Sequence, residues 1–183
     1  MKWIAFFSQT GSEIYQVSKL LGRFPDRVIT NKSINDLSKI NEGLRNEYKG
    51  NWVIIPRKPT VDDYDRAIGG GRSIIEGTII TLHGYLRIVP GPICNAFDIY
   101  NGHPGDIVTY PELKGFNPQE KAFNLKLPRS GSVIHKVTAG VDEGPIVTQK
   151  SISIADLPLE EVYSRLHSNS VELWYNFLKE KLV

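Results

Sequence analysis

The stretch Asp98-Ile99-Tyr100-Asn101-Gly102-His103-Pro104-Gly105 puts an amide and an imidazole two residues apart, at the end of an apolar, strand-like pattern. If residues 99–103 are extended, Asn101 and His103 leave the same face of a sheet, because strand side chains alternate with a period of two. An asparagine NH2 can hold a developing oxyanion, and histidine is the side chain whose ordinary pKa lets it exchange protons near neutrality. The pair suits acyl transfer. The plainer alternative is a strand-end asparagine bonding its own backbone beside a surface histidine.

A sheet is needed to hold this tip in place. Residues 3–7, 27–30, 52–55 and 78–82 are nearly continuous apolar runs, as strands covered on both faces require. Between the first two, Ile14, Val17, Leu20 and Leu21 recur at helical spacing, with Ser12 placed to cap and Gly22 to end the helix. Between the next two, Leu37, Ile40, Leu44 and Tyr48 do the same and end at Gly50. Strand and helix alternate, which predicts right-handed crossovers and a Rossmann-like, doubly wound, mostly parallel α/β sheet.

A third helix starts near Thr60 and runs into Gly69, Gly70, Gly71 and Arg72, where three glycines cost roughly 2 to 3 kcal/mol relative to alanine. The helix is expected to break there and to be able to restart at Ser73. Residues 104–118 carry three prolines and two glycines without a period, which reads as a long ordered loop or lid. Residues 132–137 and 146–154 predict an antiparallel hairpin, and Asp156 a capped terminal helix carrying Leu159, Val162 and Leu166 toward Leu173, Phe177 and Leu178.

Composition sets outer bounds. The 183 residues, 40% apolar and 23% charged, suit one domain spanning 1–183. A net charge of +2 without long single-sign runs gives no reason to expect nucleic acid or an anionic membrane as a partner. The sole cysteine, Cys94, excludes an internal disulfide framework and a multi-thiolate metal site, and reads as a small buried apolar residue. The apolar start at residues 3–7 is too short for a signal-peptide core or a membrane span, which makes a cytoplasmic location the expectation.

Ser8-Gln9-Thr10-Gly11-Ser12-Glu13 follows the first strand and opens the first helix, where backbone N–H groups could receive an anion. It lacks the spaced glycines of a dinucleotide fingerprint and the Gly-Lys-Ser/Thr of a P-loop, so neither NAD nor ATP is supported. A strand-to-helix turn capped by Ser12 is the competing reading. Its place at the carboxyl edge of the sheet favours a ligand.

Several segments, in order, resemble the folate-dependent formyltransferases, and among them the small single-domain phosphoribosylglycinamide type. They are residues 8–13, Val28-Ile29-Thr30-Asn31-Lys32, Gly84-Tyr85-Leu86-Arg87-Ile88-Val89, Asn101-Gly102-His103-Pro104, and residues 137–147 with Asp142-Glu143-Gly144-Pro145. The resemblance implies a catalytic trio of Asn101, His103 and Asp142 acting with 10-formyltetrahydrofolate as cosubstrate and with no metal. It implies a pterin pocket on Leu86, Arg87, Ile88 and Val89 and on Thr138, Ala139, Gly140 and Val141, and a substrate turn at Gly11, Ser12 and Glu13. His135 falls on a family histidine, with a direct or a supporting role left open. The expected partners are a reduced folate and a small amine, glycinamide ribonucleotide or an amino-sugar nucleotide among them, in a monomer or homodimer serving purine biosynthesis. With water in place of the amine, the same trio would hydrolyse formyltetrahydrofolate; a non-catalytic ligand-binding relative is the third reading.

The chain also departs from that family. The family turn reads Ser-Gly-x-Gly-Ser-Asn, whereas Gln9 replaces one glycine and Glu13 the asparagine. A carboxylate there should repel a phosphate by about 3 to 4 kcal/mol unless it turns outward or pairs with a neighbour such as Lys32 or Lys58. Arg57, Lys58 or Arg72 would have to replace an absent Ser-Arg pair, and His83 stands where the family has a small residue. The departures gather on the acceptor side and spare the trio.

Overall fold

In the computed structural model, which describes residues 1–69 and 77–182 except the side chain of Ile34, strand β1 (Lys2–Phe7) is buried on both faces. Trp3, Ala5 and Phe7 enter one core with Ile14, Val17, Leu44 and Trp174. Ile4 and Phe6 enter the opposite core with Ile29, Tyr64, Ile80 and Ile99. A strand that feeds two cores needs apolar residues at every position, which is why its sequence is a run rather than an alternation.

The remaining strands are β2 (Arg27–Thr30), β3 (Val53–Ile54), β4 (Thr78–Leu82), β5 (Asp98–His103), β6 (Arg129–Lys136) and β7 (Ile146–Ser153). They form one sheet in the order β3-β2-β1-β4-β5-β6-β7. The first five are parallel, and β6 and β7 add antiparallel pairs. This is the doubly wound sheet with a C-terminal hairpin that the sequence predicts.

Helix α1 (Ser12–Leu21) ends at Gly22, as expected, but its N-cap is Gly11 and Ser12 is already helical. The second periodic segment is divided. A 3₁₀ stretch (Ile34–Lys39) precedes α2 (Glu42–Tyr48), because the Asn41 side chain accepts from the Leu44 N–H and starts a new helix there. Leu44 and Ile40 still reach the core. Helix α3 (Val61–Ile68) begins with a capping box between Thr60 and Asp63. It ends at Ile68 with Gly69 as its C-cap, where the glycines predict a break; Gly70, Gly71 and the restart at Ser73 lie outside the described residues.

Three pieces were not anticipated: α4 (Gly91–Ala96), the 3₁₀ turn Pro111–Leu113 and α5 (Pro118–Asn124). All are short. The terminal helix α6 (Leu159–Lys181) is one continuous element capped at Pro158, not at Asp156, whose backbone is left-handed. Glu160 and Glu161 in its first turn and Lys179 and Lys181 in its last suit the helix dipole. A third core unites Leu113, Ala122, Val133, Ile154, Val162 and Leu166, and so ties the segment after β5 to α6. Among the described residues no helix is long and apolar enough to cross a membrane.

Candidate active site

Strand β5 is flanked by parallel β4 and antiparallel β6, and Asn101 faces Leu82 on one side and His135 on the other. The register therefore delivers His135 to the asparagine directly across the sheet. On its far side β6 meets β7 with a bulge: Ile134 pairs Thr148, but His135 pairs Ile146. Such an irregularity twists the strand locally and re-aims its side chains. The connection from β6 to β7 then brings Asp142 back over the strand ends in left-handed backbone, φ 52°. Gly144 makes that return possible, because a Cβ there would overlap the Lys136 carbonyl.

Asp142 lies between both imidazoles. Its Oδ2 is 3.3 Å from His103 Nδ1, and its Oδ1 is 3.4 Å from His135 Nε2. The Gly115 N–H donates to Oδ2 at 3.0 Å. Asn101 Nδ2 reaches His135 Nε2 at 3.2 Å and Asp142 Oδ1 at 3.4 Å. The His135 Nδ1–H donates to the Lys136 carbonyl at 3.0 Å. His103 Nε2–H donates to the Leu113 carbonyl at 2.8 Å.

Burial sets the electrostatics. It pushes the His103 pKa below the ordinary histidine range and outweighs Asp142, which favours the imidazolium. Burial alone would raise Asp142. The hydrogen bond to His135, the His103 charge and the Gly115 N–H more than offset it and hold the carboxyl below its usual range. Asp142 is thus an anion beside a ring whose second proton it favours and burial opposes.

The trio lines a cavity of about 390 Å³. Leu86, Arg87, Ile88 and Val89 wall it on one side, and Thr138, Gly140 and Val141 on another. Arg87 is fixed by its guanidinium, which donates to the Arg57 and Leu86 carbonyls at 2.6 Å each. Ala139 does not line the cavity; it packs against Gly91. Gly11, Ser12 and Glu13 stay outside it as well, and the first turn contributes only Gln9. Glu13 meets neither Lys32 nor Lys58. Its Oε2 is 2.7 Å from His83 Nδ1 and its Oε1 accepts from Ser170 Oγ at 2.5 Å. Arg72 lies outside the described residues.

Phe116, Asn117, Pro118 and Gln119 also line the cavity; the sequence marks residues 104–118 only as an ordered loop or lid and singles out none of the four. Phe116 is 76% exposed at the cavity, where an apolar ring in a Gly-Phe-Asn turn was the available signal. The Leu113 carbonyl and Gly115 N–H are backbone groups, which no residue type announces. Cys94 is buried, with its thiol against the Val89 carbonyl.

Residues 32–178 match the family described as Formyl transferase. Over 122 residues the chain is 29% identical to phosphoribosylglycinamide formyltransferase of Bacillus subtilis, a stretch that covers 65% of this chain and 61% of that protein. The fold matches a phosphoribosylglycinamide formyltransferase structure from Streptococcus pneumoniae with a TM-score of 0.77 at 24% identity, over 100% of this chain and 99% of that one. A formyltetrahydrofolate deformylase from Pseudomonas syringae superposes with a TM-score of 0.76 at 17% identity, over 97% of this chain and 60% of that one. With the model matching more than half of its length, the chain belongs to the formyl transferase family.

Proposed function

We propose that this protein is an N-formyltransferase that moves the formyl group of 10-formyltetrahydrofolate to a small amine, glycinamide ribonucleotide or a related nucleotide-type amine such as an amino-sugar nucleotide. The observation that carries the reading is the convergence of Asn101, His103 and Asp142 on one cavity walled by residues 86–89 and by Thr138, Gly140 and Val141. The amine nitrogen attacks the formyl carbon, and the carbonyl electrons move onto oxygen. Asn101 Nδ2–H and His103 Nε2–H donate to that oxyanion, the formyl oxygen taking the place that the Leu113 carbonyl holds at His103. As the tetrahedral adduct collapses, the bond to the folate nitrogen breaks. The proton lost by the amine passes to that nitrogen, with Asp142 steadying the charge on His103 meanwhile.

A second reading, hydrolysis of formyltetrahydrofolate by water, is supported by the fold shared with the Pseudomonas syringae formyltetrahydrofolate deformylase. One screen tests both. A panel of amines is incubated with the protein and 10-formyltetrahydrofolate, and tetrahydrofolate release is followed with and without each amine. Release that depends on an amine supports transfer; release without any amine supports hydrolysis; no release under any condition removes both.

A further inference from the structure

Glu13 and His83 form a second carboxylate–imidazole pair, apart from the trio. The Trp3 Nε1–H donates to Thr81 Oγ1 at 2.8 Å, and Thr81 Oγ1 is 2.9 Å from His83 Nε2. With Thr81 donating to that nitrogen, the His83 Nδ1–H donates to Glu13 Oε2, and the Ser170 hydroxyl donates to Oε1. Every donor in the series then has a partner, and the series ends on the carboxylate. A hydroxyl, an imidazole and a carboxylate in line have the connectivity of a nucleophilic relay. Here they cannot serve as one, because Thr81 is wholly buried and its oxygen already receives Trp3.

The position of the pair points to another use. A buried carboxylate–imidazole pair adds little to stability over a well-packed apolar core, so its geometric consequences matter more. Glu13 holds α6 at Ser170. His83 holds the same helix one turn later, its ring packing on Trp174 with centroids 4.5 Å apart. Trp174 is fully buried, and its Nε1 has no hydrogen-bond partner among the described residues. That nitrogen abuts Gly102, where a Cβ would overlap it. Gly102 is the residue between Asn101 and His103.

We infer that Glu13 and His83 are positioning residues for the catalytic strand tip: they fix α6 on two successive turns, and Trp174 transmits that position to Gly102. The inference rests on the formyl-transfer reading for its kinetic consequence and on the packing alone for its structural one. An error of 1 Å at reacting groups costs about a hundredfold in rate, so a wedge of this kind bears directly on turnover.

The test combines kinetics with NMR of the ring nitrogens of His103 and the amides of residues 101–103. In Glu13→Ala, these signals are expected to shift and kcat to fall by about tenfold to a hundredfold, with affinity for a non-reactive folate analogue within about twofold of the parent. Glu13→Gln, which still accepts from Ser170, should recover most of the loss. Gly102→Ala should lower kcat, and Trp174→Phe in the same chain, by removing the colliding nitrogen, should restore part of it. Unchanged signals and kcat in a folded Glu13→Ala protein overturn the inference. If Glu13→Ala does not fold, the Gly102→Ala and Trp174→Phe combination decides, and a double variant no better than Gly102→Ala overturns it. Absence of formyl transfer by the parent protein would count against the functional reading alone, since the His103 signals report on the wedge without turnover.

Discussion

His103 Nδ1 lies 3.3 Å from Asp142 Oδ2, while the other ring nitrogen is committed to the Leu113 carbonyl at 2.8 Å. The contact with Asp142 becomes an ion pair only when the ring carries both protons. Burial pushes the His103 pKa down more strongly than Asp142 raises it. Imidazolium therefore forms below the ordinary histidine value of about 6.5, and a step that needs it weakens as pH rises through the depressed value. Replacing Asp142 by Asn removes the charge that favours the imidazolium, so His103 should titrate lower still. NMR titration of the His103 ring in the parent and in Asp142→Asn checks both expectations; a parent midpoint above 6.5, or an upward shift in the variant, contradicts them.

Loss of the donors should be felt in turnover more than in folding. His103→Ala and Asp142→Asn are each expected to reduce formyl transfer by about a hundredfold to ten-thousandfold, the usual worth of a positioned acid–base group. Asn101→Ala should cost about a hundredfold to a thousandfold, as for one oxyanion donor. Near-parental kcat in any of the three, with circular dichroism showing a folded chain, removes that residue from the trio.

Glu13 should make acid stability depend on a single side chain. Burial alone would raise its pKa, but the hydrogen bond and charge of His83 and the hydrogen bond of Ser170 hold it below the usual range. Its stabilising contribution is complete above the ordinary glutamate value and is lost as pH falls through the lower native value. Urea midpoints measured from about pH 6 down to about pH 3 should fall more steeply for the parent than for Glu13→Gln. Parallel curves would show that the carboxylate is not linked to folding.

Gly144 and Leu113 hold the trio from two sides. Gly144→Ala drives a methyl into the Lys136 carbonyl, and overpacking of this kind costs about 1 to 3 kcal/mol. Because Asp142 rides on the same connection, affinity for a folate analogue should fall too. Leu113→Ala empties a fully buried site and should cost about 2 to 5 kcal/mol. Thermal melts and calorimetric titration measure both. A Gly144→Ala protein with parental melting and parental affinity would mean that the connection tolerates the displacement.

How far the chain could be read from its sequence depended on how local each cause is. Residues 27–30 and 78–82 are strands at the predicted limits, because burial on both faces leaves an uninterrupted apolar run. Asn101 and His103 were legible for a similar reason, since alternation within one strand puts them on one side. Helices α4 and α5 were not, because each spans two turns or fewer and depends on partners distant in sequence. The inward turn of Glu13 was hidden likewise: it is fixed by His83 and Ser170, which are 70 and 157 positions away. Asp142 was singled out through the resemblance alone, as nothing in its neighbours announces a left-handed aspartate that returns over the sheet.

Helix α6 touches Glu13 through Ser170, Gly102 through Trp174, and the core beneath Leu113 through Val162 and Leu166. One rod thus spans the anchor, the strand tip and the segment that closes on His103. In hydrogen-exchange terms, the amides of β5 and those of the middle of α6 are expected to belong to one cooperative unit and to open together. Loosening of the strand tip is then expected to require loosening of α6 as well.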